Sequence, residues 1–255
     1  MKSVRVLKAR PQASQRLVCF PHAGGSASFY RGWGAGREDI EVLAVQYPGR
    51  ADRLAEPTPG DLLELAEESA AALLPLLDGR PVTFVGHSMG AIVAFEAIRR
   101  IEAADGAVRR LVASAARAPH DPDHVSAPGT EWDDEAAVRS IVAMGQTDAA
   151  LMADPRVREL VLPYLRADFE LFQRYEYRPA TTLACEVLVV HGVEDDHVRA
   201  HKADLWRELT QGRFAHVEVP GGHFYLSPEP PLDLFLGELP VTADNSTVSL
   251  EVDLP

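Results

Sequence analysis

Val82-Thr83-Phe84-Val85-Gly86-His87-Ser88-Met89-Gly90-Ala91-Ile92-Val93 decides the fold of this chain. A short apolar run leads into a Gly-X-Ser-X-Gly pentad, and a helix-compatible apolar segment follows. That order predicts a strand, a sharp turn and a helix, with Ser88 presented at the tip of the turn. Gly86 and Gly90 flank it where a Cβ would collide with a neighbouring strand or helix. The turn also sets Ser88 at a helix N-terminus, where free amides favour developing negative charge.

The surrounding composition narrows the function classes. At 255 residues, 46% hydrophobic and 25% charged, the chain reads as an ordinary globular protein with ample core. A net charge of -13 makes nucleic acid and anionic membranes poor partners. Cys19 and Cys185 each lie in an apolar strand-like run. They read as buried small hydrophobes in a reducing compartment, not as a disulfide or a nucleophile. No uninterrupted apolar segment follows the basic residues Lys2, Arg5, Lys8 and Arg10, so no signal peptide is expected. No run approaches the ~20 residues that span a bilayer. The expectation is a cytoplasmic monomer.

Outward from the pentad, apolar runs alternate with helical patterns. Strands are expected at 16–20, 40–46, 82–87, 108–115, 186–192 and 214–219. Leu62, Leu63, Ala66, Ala70, Leu73 and Leu77 mark a helix between Asp61 and Asp78-Gly79, and the helix after Ser88 runs to about Ala104. Residues 198–210 read as helical, and Leu232, Leu234, Phe235 and Leu239 as a short closing helix. Arg109-Arg110 with Arg99-Arg100 reads as a small basic surface cluster. The alternation predicts one α/β domain over residues 1–241, with a mostly parallel sheet flanked by helices. Residues 242–255 are polar and read as a disordered tail.

Between about 118 and 182 the strand signals stop. Pro119, Pro122, Pro128 and Gly129 mark an irregular connection, then Ala137, Val138, Ile141 and Val142 recur at helical spacing up to Gly145. Asp154-Pro155 fits the cap and first position of a longer helix. Val157, Leu160, Val161, Leu165, Phe169 and Phe172 form its apolar stripe, with a kink expected at Pro163. A helical block inserted before the strand at 186–192 reads as a lid over the sheet edge where such folds bind ligands. Met144, Met152, Tyr164, Tyr175 and Tyr177 either line an acyl pocket or form the lid's own core.

A serine hydroxyl needs an adjacent base, itself oriented by an acid. Ser88, Asp195 and His223 follow the ends of three predicted strands, in the chain order of an α/β-hydrolase triad. Among the nine histidines, His223 follows the last strand, whereas His22, His87, His120, His124, His191 and His216 occupy other elements. Asp195 stands between Glu194 and Asp196, so Asp196 stays open as the acid. His197 and His201, four apart, lack a metalloprotease glutamate, and no metal is expected. His22-Ala23-Gly24-Gly25 lacks a phosphate-binding lysine. A strand-ending loop of this kind supplies one oxyanion amide and the residue after the nucleophile another, which assigns the amides of Ala23 and Met89.

At this point the chain resembles the type II thioesterases that accompany polyketide synthases and nonribosomal peptide synthetases. The resemblance rests on Phe20-Pro21-His22-Ala23-Gly24-Gly25-Ser26-Ala27, Val45-Gln46-Tyr47-Pro48-Gly49-Arg50, Gly86-His87-Ser88-Met89-Gly90-Ala91, Leu165-Arg166-Ala167-Asp168-Phe169 with Tyr175-Glu176-Tyr177, and Pro220-Gly221-Gly222-His223-Phe224. It implies an α/β-hydrolase core with a helical lid. It also implies hydrolysis of acyl groups from the phosphopantetheine arm of acyl or peptidyl carrier domains, in an editing role. The cofactor arm would arrive with the substrate, so none is expected in the protein. Family members often carry a proline after the acid, where this chain has Asp196. With both carrier and chain acidic, docking is expected on a local basic or apolar patch, Arg99-Arg100 and the lid arginines being candidates. The competing expectations are a carboxylesterase-like hydrolase of free esters and an inactive interaction module.

Overall fold

A computed structural model describes residues 2–123, 133–143, 149–227, 229–240 and 248–249. In chain order the elements are β1 (Val4–Lys8), β2 (Gln15–Phe20), β3 (Ile40–Val45), α1 (Leu62–Leu73), β4 (Val82–His87), α2 (Met89–Ala103), β5 (Arg110–Ser114), α3 (Asp134–Ala143), α4 (Ala149–Ala153), α5 (Pro155–Arg174), β6 (Glu186–Gly192), α6 (Ala200–Ala203), β7 (Phe214–Val219), α7 (Leu232–Leu236) and β8 (Val248–Ser249). The strands form one sheet in the order β1-β3-β2-β4-β5-β6-β7-β8. Every pairing is parallel except β1 with β3. All residues of β3, β4 and β5 are buried, as a parallel strand covered on both faces requires. On one face α1 and α2 pack over Phe20, Phe84 and Val189. On the other, Tyr30, Trp33 and Phe235 cover Leu17, Val112 and Leu188.

The expected core architecture is the observed one, with differences at its margins. β1 was not expected. Only Val4 of its five residues is buried, so this one-sided edge strand reads in sequence as a basic N-terminus. β8 falls within the stretch read as a disordered tail, yet Val248–Ser249 pairs with Val217–Glu218 along the outer backbone edge of β7. Residues 198–210 hold only one α turn followed by 3-10 structure over Asp204–Leu209, and the wholly buried Trp206 pins it by donating to the Ala116 carbonyl. Pro75 ends α1 early, since it has no N–H to continue the ladder. Arg109 and Arg110 are not a surface cluster. Both donate to carbonyls at the end of α7, and Arg110, fully buried, also pairs with Glu186 at 2.6 Å.

Among the described residues, helices α3 to α5 stand between β5 and β6 and share a small core of Ala137, Ile141, Met152 and Leu165. The Asp154 carboxylate caps α5 by accepting from the Arg156 amide. The helix continues through Pro163, and its buried side is Leu165, Asp168 and Leu171. Leu160, placed in the stripe from sequence, is 59% exposed.

Candidate active site

Ser88 joins β4 to α2 with φ 53° and ψ −121°, a conformation that favours glycine and costs a serine about 1–3 kcal/mol. Its surroundings hold it there. The Ser88 amide donates to the Ser114 carbonyl at 2.8 Å, and its own carbonyl accepts from Ala91 at 2.9 Å. A Cβ on Gly86 would lie 2.3 Å from the Gly90 carbonyl oxygen, and one on Gly90 would lie 2.2 Å from that of Phe20. The elbow therefore tolerates no side chain at either flank. The Gly90 approach also brings the first turn of α2 against the loop that leaves β2.

In that loop the Gly25 amide closes a turn on the His22 carbonyl at 2.9 Å, with Ala23 and Gly24 between them. The Gly24 amide is engaged, donating to the Asp168 carboxylate at 2.8 Å. Met89 opens α2, so no carbonyl within the helix claims its amide. Ala23 and Met89 thus stand on two adjoining segments at the edge where the half-buried Ser88 lies.

The acid and base come from the neighbouring strands. A Cβ on Gly192 would lie 2.1 Å from the Gly221 carbonyl, and the Glu194 amide donates to that same carbonyl at 3.0 Å. The turn after β6 and the loop after β7 are therefore pressed together. Across this junction His223 Nδ1 meets Asp195 Oδ2 at 2.8 Å, while Asp195 Oδ1 accepts from the His197 amide at 2.9 Å. Burial is the largest influence and works against the Asp195 charge. The His223 hydrogen bond and charge, together with the His197 amide, outweigh it and hold the pKa below the ordinary carboxyl value. An ionised carboxylate only accepts, so Nδ1 carries the proton and the lone pair sits on Nε2. Asp196 is exposed, so the structure brings Asp195 rather than Asp196 to His223. The His87 ring, next to Ser88 in sequence, lies 5.1 Å from the His223 ring.

His87 is fully buried, with Nδ1 2.9 Å from Ser114 Oγ, which meets the Tyr225 hydroxyl at 2.7 Å. This chain ties the residue before the serine to the second residue after the histidine. Burial, then the charge on His223, lowers the pKa of both His22 and His87, that of His22 to about 3. His22 Nδ1 is buried without a hydrogen-bond partner, so protonating it opposes folding. The folded pKa lies below the unfolded 6.5, so stability falls as pH drops below 6.5 and keeps falling toward 3. At pH 5 His22 alone should cost about 2 kcal/mol relative to neutral pH. Urea unfolding at pH 7 and pH 5 measures this, and His22→Phe, which keeps the ring packing against Phe29 and Phe224, should recover about that amount.

Other sequence candidates serve elsewhere. α6 starts at Ala200, so His197 and His201 share no helix face. Among the described residues no group of three or more His, Cys, Asp and Glu side chains could hold a metal ion. Met152 is buried in the small core shared by α3 to α5, Tyr175 donates to Glu96 at 3.0 Å, and Tyr177 packs on Phe95 and His120. Met144 and His124 lie outside the described residues. Arg99 and Arg100 share Glu96 at 2.9 and 3.0 Å, so they offer little unpaired charge to a partner. Cys19 and Cys185 are buried and free. Sequence reasoning gave no role to Ser114, Tyr225, Arg50 or Asp168. For Asp168 a signal was present, a carboxylate set three residues from Leu165 on the helix face that packs inward.

A thioesterase domain model matches residues 15–233. The chain is 40% identical over 213 residues to a probable cadicidin biosynthesis thioesterase of Streptomyces griseus, covering 83% of this chain and 58% of that protein. It is 39% identical over 227 residues to thioesterase PikA5 of Streptomyces venezuelae, covering 88% and 80%. The structure matches that of the type II thioesterase BorB from the borrelidin biosynthetic cluster with a TM-score of 0.76 at 38% identity, covering 89% of this chain and 92% of that one.

Proposed function

This chain belongs to the thioesterase family, and on that premise we propose that it hydrolyses acyl groups held as thioesters on the phosphopantetheine arm of carrier domains. The observation that carries the reading is the hydrogen bond from His223 to a buried, ionised Asp195 at the strand ends where the elbow holds a half-buried Ser88. In this reading Ser88 Oγ attacks the thioester carbonyl carbon while His223 Nε2 takes its proton. The amides of Ala23 and Met89 hold the oxyanion. The carbon–sulfur bond then breaks, and the pantetheine thiol leaves with the proton from the imidazolium. A water, deprotonated by His223, attacks the acyl-serine, and the acid departs as Ser88 regains its proton. A thiol leaves more readily than an amine, so the base rather than the acid step demands the geometry.

The proposed role is editing, the removal of stalled or misprimed acyl units during polyketide or nonribosomal peptide assembly. Its similarity to a thioesterase of the borrelidin cluster supports that role. The protein is proposed to be a cytoplasmic monomer without a resident cofactor. Among the described residues no helix is long and apolar enough to cross a membrane. Arg99 and Arg100 are largely covered, so carrier docking falls to the lid, where Arg166 and Arg174 share Glu170 but are each more than half exposed.

The test compares kcat/KM on acyl-carrier protein, acyl-pantetheine and a simple ester of the same acyl group. The expected order is carrier first, with at least about a tenfold advantage over free acyl-pantetheine from the protein contact. A preference for the simple ester would identify a carboxylesterase-like hydrolase instead. Failure of a fluorophosphonate to label Ser88 would point to an inactive interaction module.

A further inference from the structure

Arg50 and Asp168 form an ion pair with no solvent contact worth the name: Asp168 is 0% and Arg50 2% exposed. The guanidinium grips both carboxylate oxygens, with Nη2 to Oδ1 at 2.6 Å. Arg50 follows β3, whereas Asp168 lies on the lid helix α5. A buried pair of this kind is rarely kept for stability alone, because desolvation cancels much of its attraction. Arg50 Nε donates to the Pro48 carbonyl at 3.2 Å. What distinguishes this pair is that its other hydrogen bonds end on the loop after β2. The carboxylate accepts the Gly24 amide at 2.8 Å, and the guanidinium donates to the Gly25 carbonyl at 3.2 Å. Gly24 has φ 76°, a left-handed backbone that leaves its amide direction set by the partners it finds. Tyr47 and Tyr164 flank the guanidinium at 5.3 and 5.5 Å and restrict it further.

From this geometry we infer that Arg50 and Asp168 are positioning residues for the oxyanion hole, fixing the Ala23 amide through their hold on Gly24 and Gly25. The inference deepens the proposed function and rests on its assignment of Ala23. An oxyanion donor must meet the tetrahedral oxygen within tenths of an ångström, and a two-glycine loop does not hold such a position unaided. Because the carboxylate comes from the lid, the hole is complete only while α5 is seated on the core.

The experiment measures kcat and KM on an acyl-N-acetylcysteamine thioester and a p-nitrophenyl ester, with inhibition by an acyl trifluoromethyl ketone, whose adduct with Ser88 places an oxyanion in the hole. Asp168→Ala should lower kcat on both substrates by about 10²-fold with KM within about threefold, and raise the inhibition constant in step with kcat. Arg50→Met combined with Asp168→Leu removes the pair without stranding a buried charge and should show the same losses in a folded protein. Asp168→Asn, which keeps an acceptor for the Gly24 amide, should recover about tenfold of kcat over Asp168→Ala. Unchanged kcat and inhibition in the folded double variant, or a change in KM alone, would overturn the inference. A wild type that cleaves the ester and spares the thioester would overturn the substrate reading instead, and the variants would still be compared on the ester.

Discussion

Ser88→Ala is expected to lower turnover of an acyl-carrier thioester by about 10⁴- to 10⁶-fold, with the fold unchanged. The loss follows from the proposed covalent route, in which Oγ is the atom that bonds to the acyl carbon. Residual activity would come from the oxyanion amides and His223 acting on water. The fold should persist because the hydrogen bonds that hold residue 88 to Ser114 and Ala91 run through its backbone. Alanine inherits the strain at φ 53° unchanged, so thermal denaturation should stay close to wild type. Ser88→Gly makes the complementary point. It is equally inactive but relieved of strain, and should melt higher by a few degrees. A Ser88→Ala protein that keeps more than a tenth of wild-type turnover would remove the serine from the chemistry.

The strands and the elbow were legible because they are written locally. Val82–Val93 contains its own apolar run, its own steric glycines and its own helix start, and β3 to β7 are short apolar runs closed by turn residues. Chain order and strand ends made His223 legible and narrowed the acid to the Asp195-Asp196 turn, and the packed structure brings Asp195 to the histidine. β1 was obscure because a one-sided edge strand carries a single buried residue, and Arg5 and Lys8 drown its alternation. β8 was obscure because two residues in a polar tail form a strand only by virtue of the edge they meet. The Arg50–Asp168 pair joins positions 118 apart and the basic pairs turn inward onto carbonyls and Glu96. Charge in sequence does not say which way a side chain faces, and only the packed structure decides whether an arginine is a surface or a clamp.

Asp195→Asn should cost about 10⁴-fold in kcat, a loss out of proportion to the removal of one charge. The reason lies in the two hydrogen bonds of the carboxylate. Oδ1 accepts from the His197 amide, and Oδ2 faces His223 Nδ1. An asparagine keeps the first bond only by turning its carbonyl oxygen toward His197, and its amide nitrogen then faces the histidine as a donor. Nδ1 must become the acceptor, the proton moves to Nε2, and the lone pair that takes the Ser88 proton in the proposed mechanism is lost. Asp196→Asn supplies the control. Asp196 is exposed one residue away, so its loss should change kcat less than about twofold. Steady-state kinetics across pH reads both variants. Near-equal effects at 195 and 196, or an Asp195→Asn protein within tenfold of wild type, would mean that the acid does not act through the tautomer of His223.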